Sequence, residues 1–169
     1  MDRPPNVVLT GFMGTGKTTV GRLLADLLGY EFVDTDEVIE RRYGPIDTLF
    51  AERGEDAFRA IEREVAADLG GERGRVISTG GRMMLDDEIA ASLGSGARVF
   101  CLVASADTIA ARVLSADAPT RPLLAGPDPR RRIAELLAQR NAGYARFEQV
   151  STDSGTAADV AHDLRDRLR

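Results

Sequence analysis

Short apolar runs alternate with amphipathic stretches along the whole chain, which marks an α/β domain with a mostly parallel sheet. The first apolar run ends in a glycine-rich turn that opens a helix, the local order that such a domain needs at a ligand site. The runs "NVVLT" (6–10), "YEFVD" (30–34), "RVIST" (75–79), "ARVFCLV" (97–103) and "EQVST" (148–152) read as short buried strands. Between the first two, Val20, Leu23, Leu24, Leu27 and Leu28 mark one face of a helix that Gly29 can end. Phe58, Ile61, Val65 and Leu69 do the same for a helix over 55–69, and Val160, Leu164 and Leu168 for a last one. Ligands in such domains collect beyond the carboxyl ends of the strands, which directs attention to 11–18, 34–36, 79–82 and 104 onward.

One segment interrupts the pattern. "LSADAPTRPLLAGPDPRRR" (114–132) holds four prolines and a glycine among arginines, with no steady period. It reads as a mobile loop that enters a helix near Pro129, longer than an ordinary connection and therefore a candidate lid over roughly 114–129. There is no internal repeat and no sign of a second domain, so 1–169 is expected to form one unit.

Hydrophobic residues make up 43% and charged residues 29%, a globular balance. The net charge of -5 argues against a broad electrostatic grip on nucleic acid, so an anionic ligand must be met by cations placed locally. The single cysteine, Cys101, sits in an apolar strand and reads as a small buried hydrophobe. A chain with no internal disulfide suits a reducing cytoplasm, and no run is apolar enough for a membrane span. Nor does the start of the chain have a signal-peptide layout. Of the 22 basic residues all but Lys17 are arginine. Retaining one ammonium among guanidiniums suggests a task that needs a compact point charge.

That lysine lies in "GFMGTGKTT", where Gly11, Gly16, Lys17 and Thr18 complete the pattern G-x-x-x-x-G-K-[ST]. Glycines there let successive N–H groups, from Gly14 through Thr15, Gly16, Lys17, Thr18 and Thr19, curl around phosphate oxygens at a helix N-terminus. Lys17 can reach the β- and γ-phosphates of a nucleotide, and the Thr18 hydroxyl can sit on Mg²⁺. Beyond the second strand stand Asp34 and Asp36, two apart, which extended chain would point the same way. One carboxylate can hold magnesium through its water shell while the other meets an acceptor hydroxyl; alternatively, Asp36 merely caps the helix "EVIERRY". "VISTGGRMML" brings two glycines to a strand end, clearing space for a close approach, and then places Arg82 directly after them.

Taken together, "GFMGTGKTTVGRLLA", "FVDTDEVIE", "FAERGEDAFRAIE", "STGG", "TRPLL" and "QRNAGY" resemble the shikimate kinases over nearly the whole chain. The resemblance implies a three-layer α/β/α P-loop kinase fold, with a five-stranded parallel sheet and a lid closing over ATP. It implies transfer of the γ-phosphoryl of MgATP to a ring hydroxyl of shikimate. By matching motif, Lys17 and Thr18 would serve the phosphates and metal, Asp34 would sit near magnesium, and Asp36 would be the base. Arg59 and Arg140 would bind the substrate carboxylate, with Glu62 orienting Arg59, and Gly80 and Gly81 would lie against the ring. Arg121 would neutralise transition-state charge from the lid, while Arg112 and the turn holding Asp153 would flank the adenine.

Two departures from the family pattern fall in the acceptor half: Arg82 stands where a third glycine is usual, and "NAGY" lacks a proline before Tyr144. If Arg82 swings outward the pocket survives; if it points inward it fills space and favours a smaller, longer-reaching or more acidic acceptor. Two alternatives therefore stand beside a shikimate kinase: a gluconate-kinase-like sugar-acid or polyol kinase, and a regulator that binds ATP without transferring phosphate. The expected partner is a small hydroxylated acid, with no nucleic acid or membrane involved, and the chain is expected to act as a monomer in the cytoplasm. His162 and the three arginines that open the helix in "PRRRIAELLAQR" are expected on the solvated surface.

Overall fold

The computed structural model describes residues 4–169 of the chain, so the unit expected over 1–169 is seen from residue 4, and 1–3 lie outside the described residues. Strands β1 (Val7–Thr10), β2 (Glu31–Asp34), β3 (Arg75–Ser78), β4 (Arg98–Val103) and β5 (Glu148–Ser151) form one sheet in the order β2-β3-β1-β4-β5. Every pairing is parallel. All five expected strands are present, each within one residue of the bounds read from the sequence.

Helices cover both faces. On one side α1 (Lys17–Leu28) and α7 (Ala157–Arg167) pack Val20, Leu24, Val160 and Leu164 onto Leu9, Phe100 and Leu102. On the other, α2 (Thr35–Tyr43), α3 (Ile46–Gly70) and α4 (Asp87–Gly94) bury Ile39, Phe58, Val65 and Leu93 against Val8, Val33 and Ile77. Beside them α5 (Ala106–Val113) and α6 (Pro129–Tyr144) enclose Phe12 and Cys101, which is buried as expected. Burial of such side chains, about 1.5–3 kcal/mol each, is what ties the helices to the sheet. Among the described residues no helix is long and apolar enough to cross a membrane.

Two details correct the sequence reading. Leu23 and Leu27 are 36% and 39% exposed; the buried stripe of α1 is Val20, Gly21, Leu24 and Ala25. The small residues are inside because α1 lies close to the sheet: a Cβ on Gly21 would stand 2.6 Å from the Phe32 ring. The helix expected over 55–69 is the second part of α3, which begins at Ile46 and breaks at Gly54, where φ is 81°. Only glycine takes that conformation readily, so Gly54 redirects the chain just before Arg59. Segment 114–128 runs from α5 to α6 with regular structure only in a short 3-10 turn, Pro122–Leu124. Asp128 caps α6 by accepting from the Arg131 amide. His162 is exposed, and Arg130 and Arg131 at the start of α6 are exposed too, as expected.

Candidate active site

The phosphate-binding turn runs from β1 into α1. Gly11 has φ 134°, and a Cβ there would lie 2.2 Å from the Leu102 carbonyl oxygen, so no side chain fits. Gly16, at φ 93°, is the last residue before the helix and aims the first amides of α1 into the turn. The Thr15 side chain stays inside and holds the turn by donating to the Phe12 carbonyl at 2.8 Å. Lys17 Nζ donates to the carbonyls of Gly11 (2.8 Å) and Phe12 (3.0 Å). Burial lowers its pKa to about 8, against the attraction of Asp36. A cavity of about 250 Å³ opens here, lined by Gly14, Gly16, Lys17, Thr18, Thr19, Asp34, Asp36 and Arg121 among others.

The two aspartates divide their work differently from the extended-chain reading. Helix α2 begins at Thr35, so Asp34, not Asp36, is its cap: Asp34 Oδ1 accepts from the amides of Asp36 (2.9 Å) and Glu37 (3.4 Å). Its other oxygen, Oδ2, accepts from the Thr18 hydroxyl at 3.2 Å. These paired hard oxygens beside the phosphate turn fit a magnesium ion, which takes one or two protein oxygens and fills its shell with water and phosphate. Among the described residues no group of three or more acidic, His or Cys side chains could cage a metal alone. Asp36 faces the cavity uncapped. Burial, and after it repulsion from Asp34, raises its pKa, while Lys17 and Arg121 pull the other way.

A second cavity, about 770 Å³, meets the first. Met13, Asp36, Gly80, Gly81 and Arg121 line both, so a group passing from one to the other must go by Asp36 and Arg121. The glycine pair keeps that junction clear. A Cβ on Gly80 would stand 3.0 Å from Asp36 Oδ1, and one on Gly81 would stand 3.5 Å from Arg140 Nη1. The Gly80 amide donates to Thr35 Oγ1 at 3.0 Å, fixing the turn against α2.

The far wall carries the cations. Arg59 pairs with buried Glu62 one turn along α3, the arrangement the resemblance implies and i, i+3 spacing permits. Burial raises the Glu62 pKa and the Arg59 hydrogen bond opposes it. Arg140 on α6 is 8% exposed, with its guanidinium 5.4 Å from the centre of the Phe12 ring. Among the described residues no carboxylate lies within salt-bridge distance of it. A buried cation without a protein anion can pair with an anionic ligand. Phe50 and Phe58, with ring centroids 4.5 Å apart, and Leu123 supply an apolar wall.

Arg82 takes the outward of the two positions considered from sequence. Its backbone is ordinary (φ -101°, ψ -8°), so the position does not call for glycine. The side chain stays at the cavity rim, 50% exposed, with Nη1 donating to Glu55 Oε1 at 2.9 Å. It therefore leaves the space beside the glycine pair open. Gly143, in the same stretch, is closely packed: a Cβ there would meet Leu85 Cδ2 at 2.5 Å. Tyr144 still anchors the glycine turn, its hydroxyl donating to the Gly81 carbonyl.

Arg112 reaches the phosphate turn, donating to the Gly14 carbonyl (3.1 Å) and to Thr152 Oγ1 (3.0 Å) and carbonyl (2.6 Å). Asp153 accepts from the Ser105 amide at 2.8 Å, which holds its carboxyl below the usual range. Neither lines either cavity; Arg112 braces the edge beside Gly14 and Asp153 holds the start of α5. Sequence reasoning missed Glu55 and the anchoring role of Tyr144. The i, i+4 spacing of Glu55 to Arg59 was the one available signal for the former.

Comparison with known proteins agrees with this geometry. Residues 13–169 match the sequence model of a family described as shikimate kinase. The shikimate kinase of Moorella thermoacetica is 43% identical over 168 residues, covering 98% of this chain and 95% of that protein. The structure of shikimate kinase from Acinetobacter baumannii in complex with shikimate superposes with a TM-score of 0.89 at 34% identity, over 98% of this chain and 93% of that one. A gluconokinase from Sinorhizobium meliloti 1021 covers 99% of this chain and 97% of its own at a TM-score of 0.63 and 19% identity, a likeness of fold alone.

Proposed function

The chain belongs to the shikimate kinase family, and we propose how its two cavities divide that family's reaction, the ATP-dependent phosphorylation of a shikimate hydroxyl. The smaller cavity takes the nucleotide's phosphate tail and the larger takes shikimate. One observation carries this assignment: both cavities open onto Asp36 and Arg121, so donor and acceptor meet at a carboxylate and a guanidinium.

In this reading Arg59 and Arg140 grip the shikimate carboxylate, while Gly80 and Gly81 let the ring lie close to Asp36. Asp36 accepts the proton of the attacking hydroxyl, and its raised pKa makes it a stronger base than an ordinary aspartate. Lys17 leaves the carbonyls of Gly11 and Phe12 for phosphate oxygens, and Arg121 meets the charge that builds on the moving group. A magnesium ion held through Thr18 and Asp34 would neutralise phosphate charge when bound. Segment 114–129 acts as the lid, bringing Arg121 and Leu123 over the junction and excluding water. Arg112 and Asp153 shape the edge where the nucleotide base lies.

We further propose that the protein works as a monomer in the cytoplasm, on a small-molecule substrate and without nucleic acid or membrane. Residues of one chain line both cavities, and its single cysteine is buried with no thiol partner. The sugar-acid kinase and the non-catalytic regulator are not favoured, since the gluconokinase likeness extends only to the fold.

Coupled measurement of ADP release with MgATP tests the assignment. Shikimate should raise the rate far above the background ATPase, and gluconate should leave it at background. A rate that ignores shikimate, or responds equally to gluconate, would reject it.

A further inference from the structure

Glu55 occupies an unusual place at the mouth of the larger cavity. Its Oε1 alone accepts from two arginines, Arg82 Nη1 at 2.9 Å and Arg59 Nη2 at 3.4 Å. Arg59 is already committed through Nη1 to Glu62, so Nη2 is among the donors left for a substrate carboxylate. Glu55 is thus a competitor for the nitrogen that a carboxylate must reach. Glu55 and Arg59 stand four residues apart on one helix, a spacing that favours their closing on each other.

We propose that Arg82 is a positioning residue for the acceptor: by sharing Glu55 Oε1 at the rim, it weakens that carboxylate's hold on Arg59 Nη2. Two observations support this. The Arg82 contact to Glu55 is the shorter of the two, and the unstrained backbone at Arg82 lets the side chain reach across from the β3 turn to α3. The balance of charge points the same way. Four carboxylates line the cavity and four guanidiniums match them, Arg82 among these. Without Arg82 the lining carries a net negative charge, and an incoming carboxylate meets both a repulsive rim and an occupied Arg59. Arg82 acts through Glu55 and does not itself touch the substrate.

The inference rests on the assignment of this cavity to shikimate, and a kinetic cycle separates the two. Shikimate is varied at saturating MgATP for the wild-type protein, Arg82→Ala, Glu55→Gln and the double variant. Arg82→Ala should raise the KM for shikimate about fivefold, the scale of an exposed ion pair, with kcat within about twofold. Glu55→Gln should not raise KM, and in the double variant KM should return to within about twofold of wild type. Arg82→Lys, which keeps a cation, should stay near wild type, and equal melting temperatures would exclude a folding defect. An unchanged KM in Arg82→Ala overturns the proposal. So does an equal rise in the Glu55→Gln background, which would make Arg82 a direct contact or a structural residue. No shikimate turnover by the wild-type protein would instead strike at the cavity assignment, and the proposal would fall with it.

Discussion

The two halves of the site are held in different ways. Around the phosphate turn the backbone does the holding: Gly11 and Gly16 take conformations or spaces closed to other residues, and Lys17 rests on main-chain carbonyls. Around the acceptor cavity charge does it, through Arg59 on Glu62, Arg82 on Glu55 and the solitary Arg140. A backbone cradle tolerates few sequences. A charge constellation can be built from different partners, and here Arg82 and Glu55 supply one pair.

The largest expected effect tests whether the halves act separately. Lys17→Ala should lower kcat by about a thousandfold, the order seen when a charge-stabilising donor is lost. Equilibrium binding of shikimate, measured calorimetrically, should stay within about twofold of wild type. A parallel loss of shikimate binding would show that the halves are one.

Arg140→Ala sharpens the contrast from the other side. Loss of charge-assisted hydrogen bonds worth about 1.5–3 kcal/mol should weaken shikimate roughly 10- to 150-fold. The KM for ATP should hold within about twofold. An ATP effect as large as the shikimate effect would remove Arg140 from the acceptor half.

A pH series distinguishes the two kinds of cation. The Lys17 pKa of about 8 lies below the usual lysine value, so the ammonium is lost as pH rises through that value. Nucleotide phosphates select the charged form, and binding at pH 8 or above should take up a proton. ATP affinity should fall about tenfold per pH unit once well above the pKa. Shikimate affinity should stay flat over the same range, because arginine keeps its charge there. A flat ATP profile from pH 7 to 9.5 would contradict the burial of Lys17.

The smallest effect concerns the packing of Gly143. Gly143→Ala pushes a methyl group onto the flexible end of Leu85 and should destabilise the protein by about 1 kcal/mol, lowering the melting temperature by roughly 2–4 °C. Leu85→Ala should abolish that increment in the double variant. An equal increment in both backgrounds would disconnect the two residues.

How much of this could be read from sequence follows the same division. The strands and the phosphate turn were legible because glycine at a forced φ and short apolar runs are local signals. In α1 the reading took Leu23 and Leu27 for core, since hydrophobicity cannot register that close packing selects Gly21 and Ala25. Asp34 and Asp36 were both found, but the extended-chain geometry failed because α2 starts between them. Arg82 was recognised as odd and could not be aimed, because its partner Glu55 lies 27 residues upstream. Leu85 filling the space beside Gly143 is likewise a contact across the fold.

A crystal structure with ADP and shikimate would test the division of labour most directly. The shikimate carboxylate should lie between Arg59 and Arg140, a ring hydroxyl should sit on Asp36, and Arg82 should remain on Glu55. A carboxylate bound to Arg82, with Arg140 free, would contradict it.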